Sequence, residues 1–290
     1  MERPFTMFSL SLPEDAKDHI VIAKRYAFDE SDLYGAINRA IDAAPDHSAF
    51  VFVHGFNVSF DDALLRTGQF AWDLHYKGPA IAYSWPSMGG TSQYVTDIDM
   101  ADWTAPHLAA FLHSLRERTG VRTVHLVAHS MGTRAISMAL ARLADGKEVT
   151  PKFQELILAA PDINRLVFGQ LAAGLRDESE RVTIYSSQRD WALRFSAFIR
   201  NGAKRVSASA TAVPNFDFDI IDATKARTSL LGHSYTSLLG HSYFAEDHEL
   251  LEDISLLLRQ RLKPVDRSIT LEEEPPSGSF IPDGYRLNSD

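Results

Sequence analysis

The chain has 290 residues, 45% of them apolar, enough to build one sizeable hydrophobic core in a single domain. Its formal net charge of -9 comes from scattered Asp and Glu without a concentrated Lys/Arg surface, which argues against a nucleic-acid partner. The chain has no cysteine, which removes disulfides, a thiol nucleophile and thiolate metal sites, so its chemistry must come from Ser, His and carboxylates.

In chain order, β-favouring stretches at 6–12 and 20–28 read as N-terminal strands. DLYGAINRAIDA at 32–43 predicts a helix with Leu33, Ile37 and Ile41 on one stripe. AFVFVHG at 49–55 is β-branched and aromatic without alternation, as a strand covered on both faces should be. From there helix and strand alternate: helix 61–75, strand 80–85, a helical stretch within 92–118, strand 123–128, helix 131–143, strand 155–159 and helix 165–175. Strand 181–185, helix 190–200, a last strand near 217–221 and helix 249–260 complete the series. This order predicts an α/β fold, a doubly wound and mostly parallel central sheet with helices on both faces.

Within 92–118, Leu108, Phe111, Leu112 and Leu115 recur at helical spacing, and Thr104 reads as a cap ahead of Pro106 in the first turn. The tail, SITLEEEPPSGSFIPDGYRLNSD at 268–290, has no apolar periodicity and is expected to be irregular or mobile, leaving 1–267 as the domain. No signal-type segment opens the chain and no apolar run approaches ~18 residues, so a soluble, cytoplasmic protein is expected.

Chemistry enters at TVHLVAHSMGTRAISMALARL, which sets Ser130 between a buried-type strand and an apolar-striped helix. That context is what a nucleophile elbow needs, a tight strained turn that lifts a serine hydroxyl clear of the sheet. Ala128 and Gly132 are the small residues that relieve crowding on either side, the first departing by one methyl from G-x-S-x-G. The elbow would aim the Met131 amide, at a helix start, toward a developing oxyanion, with the amide of Phe56 in HGFN as second donor. Asn57 would tie that loop down or face substrate.

A serine hydroxyl needs a histidine base, itself oriented by a carboxylate, in the chain order Ser, acid, His. Asp190 in YSSQRDWAL follows the strand two positions after the elbow strand and is the expected acid. Asp162 in LAAPDIN is the reserve, with a second use as pocket lining or as a cap for the helix near Arg165. The base is sought beyond the last strand, in TSLLGHSYTSLLGHSYF, where an eight-residue doublet gives His233 and His241 the same neighbours. Spacing leaves both open. A histidine pair eight apart without a further ligand does not make a metal site, and neither metal nor cofactor is expected.

VFVHGFNVSFDDALLRTGQ, SWPSMG, HLVAHSMGTR, LAAPDIN, YSSQRDWAL and LGHSYF together resemble a bacterial group of α/β-hydrolases, esterase/lipase-like and largely without defined substrates. The resemblance spans about residues 30–260. It implies an α/β-hydrolase fold with the serine at Ser130, the acid at Asp190 and the histidine in a GHSY motif. The family has one such motif and this chain has two. Phe244 and AEDHELLEDISLLLR continue like the family's segment after its histidine, which selects His241 with His233 in reserve.

The activity expected is a serine-dependent carboxylic ester hydrolase acting on a small-molecule acyl ester. Region 85–107, flanked by Trp85, Met88 and Trp103, is a candidate pocket cover. Acyl transfer to an alcohol or amide hydrolysis on the same triad, or a non-catalytic binding role, are the alternatives.

Overall fold

A computed structural model describes residues 6–7, 10–11, 20–146, 151–186, 217–223, 248–267, 269–271 and 284–287. A two-residue antiparallel ladder joins β1 (Thr6–Met7) and β2 (Leu10–Ser11). The body of the fold is one sheet built from β3 (Ser48–Val53), β4 (Ala80–Tyr83), β5 (Thr123–His129), β6 (Phe153–Ala159), β7 (Ser179–Ser186), β8 (Asp219–Asp222), β9 (Ile269–Leu271) and β10 (Gly284–Leu287). Its order is β4-β3-β5-β6-β7-β8-β10-β9, parallel throughout except for the β10–β9 pair. The expected α/β architecture is therefore present.

The order has one consequence for function. From β3 the chain steps out to edge strand β4, then crosses back to β5 on the other side of β3. The carboxyl ends of β3 and β5 thus flank a point where the winding reverses, the crevice in which open parallel sheets place ligands.

Alternation along the strands divides the core. Ala49, Val51 and Val53 face one side with Leu126, Ala128, Leu156 and Leu158, packed under α1 (Glu30–Asp42), α3 (Tyr94–Arg118), α4 (Gly132–Asp145) and α5 (Arg165–Glu178). Phe50, Phe52, Val127, Ile157 and Tyr185 face the other, under α2 (Phe60–Asp73) and α6 (His248–Gln260). Asp29, Ser59 and Asn164 cap α1, α2 and α5 by accepting backbone N–H groups of the first turn.

Four local expectations need correction. Residues 20–28 form no strand. The segment runs beside α2, Ile20 against Gly68 and Arg25 paired with Asp61 at 2.8 Å, and β propensity has no effect without a sheet edge to pair with. The tail is not wholly irregular: β9 and β10 extend the sheet beyond β8, whose outer edge offers the backbone groups that GYRL pairs with, while ITL pairs with the far side of GYRL. Pro106 lies inside α3 rather than in its first turn, and Thr104 is a buried mid-helix residue hydrogen-bonded to the Tyr83 hydroxyl at 2.8 Å. The cap near Arg165 is Asn164, not Asp162.

Under α6 the sheet buries a cluster of charge. Arg267 pairs with Asp253 at 3.2 Å, Asp253 accepts from the Tyr185 hydroxyl at 2.5 Å, and Glu155 lies 4.0 Å from Arg181. Burial raises the Glu155 carboxyl to about 7, with Arg181 and Arg267 opposing the shift. A carboxyl raised above its ordinary 4.5 contributes stability below that value and loses it as pH rises through about 7. Glu155→Gln, which mimics the protonated acid, should therefore gain stability relative to the parent between about pH 5 and about pH 8. Urea unfolding midpoints at the two pH values test this, and a difference that does not grow with pH would contradict it.

Candidate active site

Ser130 follows β5 directly and has a φ of 54°, in the left-handed region that an L-residue enters only under constraint. Its backbone is fixed on both sides. The Ser130 amide donates to the Ala159 carbonyl of β6 at 2.9 Å, and its own carbonyl accepts from the Thr133 amide at 3.0 Å, the Thr133 hydroxyl at 2.6 Å and the Asp162 amide at 3.2 Å. Met131 follows and caps α4, with its carbonyl accepting from the Arg134 amide.

Two glycines make this turn possible. A Cβ on Gly132 would stand 2.4 Å from the His54 carbonyl oxygen and 2.5 Å from that of Val53. The first residue of α4 thus rests on the end of β3 with no room for a methyl group. A Cβ on Gly55 would lie 2.8 Å from the Ser130 Cβ, which brings the start of the loop after β3 against the elbow. Phe56, the residue carrying the second expected donor, comes next. Ala128, the other small residue, is fully buried and pairs with Val53.

His54 pins the surrounding loops. Burial lowers its imidazole to about 4, so the ring is neutral at physiological pH. The Trp85 amide donates to Nε2 at 3.1 Å, which leaves the proton on Nδ1, 2.8 Å from the Gly55 carbonyl. The Trp85 indole N–H donates to the His54 carbonyl at 2.7 Å and the two rings stack, with centroids 5.1 Å apart. Trp85 is thereby a buried packing residue, whereas Met88 and Trp103 are exposed.

The first turn of α3 holds the same loops from the other side. Asp97, fully buried, accepts from the Ser87 hydroxyl at 2.5 Å and the Met88 amide at 2.8 Å. The Asn57 amide donates to Ser87 Oγ at 2.9 Å, and the Asn57 side chain accepts from the Gly90 amide at 2.6 Å. Asn57 therefore ties the loop down, one of its two expected uses. Tyr94 donates its hydroxyl to Asp162 at 2.7 Å and presents its ring edge-on to Phe56, with centroids 5.4 Å apart.

The structure thus brings Ser130, Met131, Phe56 and Asp162 to one end of the sheet. Asp190, His233 and His241 lie outside the described residues. Sequence reading passed over His54, Tyr94 and Asp97. The signal for the last two was a tyrosine and an aspartate three apart on the stripe that continues through Ile98 and Ala101. Among the described residues no group of three or more His, Asp or Glu could hold a metal ion, and no helix is long and apolar enough to cross a membrane.

A family model described as "Alpha/beta hydrolase of unknown function (DUF900)" matches residues 29–261. No curated protein matches the chain. A solved structure of a lipase-esterase related protein from Clostridium acetobutylicum ATCC 824 shares 12% identity, covers 73% of this chain and 89% of its own, and superposes with a TM-score of 0.29, too low to bear on the site.

Gly132→Ala should destabilise the protein by about 1–3 kcal/mol or more, because the methyl group meets backbone rather than a yielding side chain. Gly169→Ala on α5, where nothing lies within 4 Å, is the control and should be neutral or stabilising by about 0.5–1 kcal/mol. Equal urea midpoints for the two variants would contradict the contact between α4 and β3.

Proposed function

The chain belongs to this family of alpha/beta hydrolases, and from that premise we propose that it is a serine hydrolase that cleaves carboxylic esters, with Ser130 as nucleophile. The observation that carries the reading is the left-handed Ser130 at the carboxyl end of β5, with Gly55 and Gly132 packed against the turn. An ordinary serine in a strand-to-helix turn needs neither the strain nor the two close approaches.

In the proposed reaction His241 takes the Ser130 proton as Oγ attacks the ester carbonyl, and Asp190 holds the imidazole in the required tautomer. The amides of Met131 and Phe56 donate to the tetrahedral oxyanion. The C–O bond to the alcohol breaks as the imidazolium returns its proton to the leaving oxygen. Water, deprotonated by the same histidine, then attacks the acyl-enzyme, and the acid is released with Ser130 reprotonated. His233 and Asp162 are the reserve base and acid. The substrate is a small-molecule acyl ester, and each step is complete with ester and water.

Intact-mass analysis after treatment with a fluorophosphonate tests this assignment. The parent should gain one adduct that Ser130→Ala lacks, and His241→Ala and Asp190→Ala should slow its formation by at least about a hundredfold. Slowing by His233→Ala alone would move the base to the first repeat. A folded parent that takes no adduct would contradict the serine-hydrolase reading.

A further inference from the structure

Resting on the reading of Ser130 and Phe56 given above, we infer that Tyr94 is a positioning residue for the oxyanion site, bracing the two loops that flank the nucleophile. Tyr94 opens α3, is buried, and touches both loops at once. Its ring meets Phe56 edge-on at 5.4 Å with an interplanar angle of 73°, an aromatic geometry that fixes orientation as well as distance. Its hydroxyl donates at 2.7 Å to Oδ2 of Asp162, a carboxylate only 4% exposed.

The two contacts lead to the reacting centre by short routes. Phe56 carries the amide proposed as one oxyanion donor. Asp162 donates its own amide to the Ser130 carbonyl at 3.2 Å, one bond before the amide of Met131 proposed as the other. One side chain therefore connects the loop after β3 with the loop after β6, across the elbow between them. Asp97, one turn along α3, holds Ser87 and through it the Asn57 amide, so the helix start grips the Phe56 loop at two points.

A tetrahedral oxyanion is sensitive to such bracing because its donors must stand at hydrogen-bond distance where charge develops in the transition state, whereas ground-state ester binding makes no such demand. A tyrosine that merely filled space would affect stability alone. A tyrosine that positions the donors affects turnover and transition-state affinity together and leaves the Michaelis constant nearly untouched.

The test compares the parent with Tyr94→Phe, which keeps the ring and loses the hydroxyl, and Tyr94→Leu, which loses both contacts. Hydrolysis of p-nitrophenyl butyrate and inhibition by butylboronic acid, which forms a tetrahedral adduct on serine, are measured below the melting temperature of each protein. Tyr94→Phe should lower kcat about tenfold with KM within about twofold, and should weaken boronate binding by about the same factor. Tyr94→Leu should lower both further, and if it does not fold, Tyr94→Phe decides alone. Unchanged kcat and boronate affinity in Tyr94→Phe, or a loss confined to KM, overturns the inference while leaving Ser130 as the nucleophile. A parent that neither hydrolyses the ester nor binds the boronate removes the Ser130 reading, and this inference with it.

Discussion

Everything at the candidate site depends on keeping one serine in a left-handed conformation between a strand and a helix. The conformation costs an L-residue about 1–2 kcal/mol, and the fold offsets this with contacts that exist only when β3, β5 and β6 are in register. The Ser130 amide is bonded to the end of β6, and its carbonyl is shared between Thr133 of α4 and Asp162 after β6. The turn is therefore a tertiary feature. A peptide of the same sequence would have neither the Ala159 carbonyl nor the Asp162 amide to hold it.

The loops around the serine are fixed by two buried polar groups, His54 and Asp97. His54 is held neutral, which lets one ring accept from Trp85 and donate to Gly55. A charged imidazole would have no acceptor at Nε2 and would lose the contact to Trp85. Asp97, also buried, gathers two donors from the segment after β4. His54 and Asp97 grip the same two loops from opposite sides, which is why the loop between Gly55 and Asn57 needs no secondary structure of its own.

Much of this was legible in the residues because the steric demands are local. VAHSMGTR announces an elbow through the small residues that crowding requires, and Gly132 proves to sit directly on β3. The buried strands were legible as β-branched and aromatic runs, and their order followed from alternation with helices. The features that were missed depend on distant partners. Nothing within Ile20 to Phe28 says that no sheet edge waits for it, and nothing within GYRL says that β8 leaves one open. The α3 start was hidden because Pro106 looks like an N-terminal signal, while the residues that begin the helix, Tyr94 and Asp97, show their purpose only against Phe56, Asp162 and Ser87. Between His233 and His241 local sequence is silent by construction, since the doublet gives both the same neighbours.

The most direct measurement is a crystal structure of the phosphonylated protein, because it shows nucleophile, oxyanion donors and base in one view. The account predicts a phosphorus bonded to Ser130 Oγ, the phosphoryl oxygen accepting from the amides of Phe56 and Met131, and the imidazole of His241 beside Oγ. A phosphonate attached to another side chain, or a phosphoryl oxygen turned away from both amides, would contradict it.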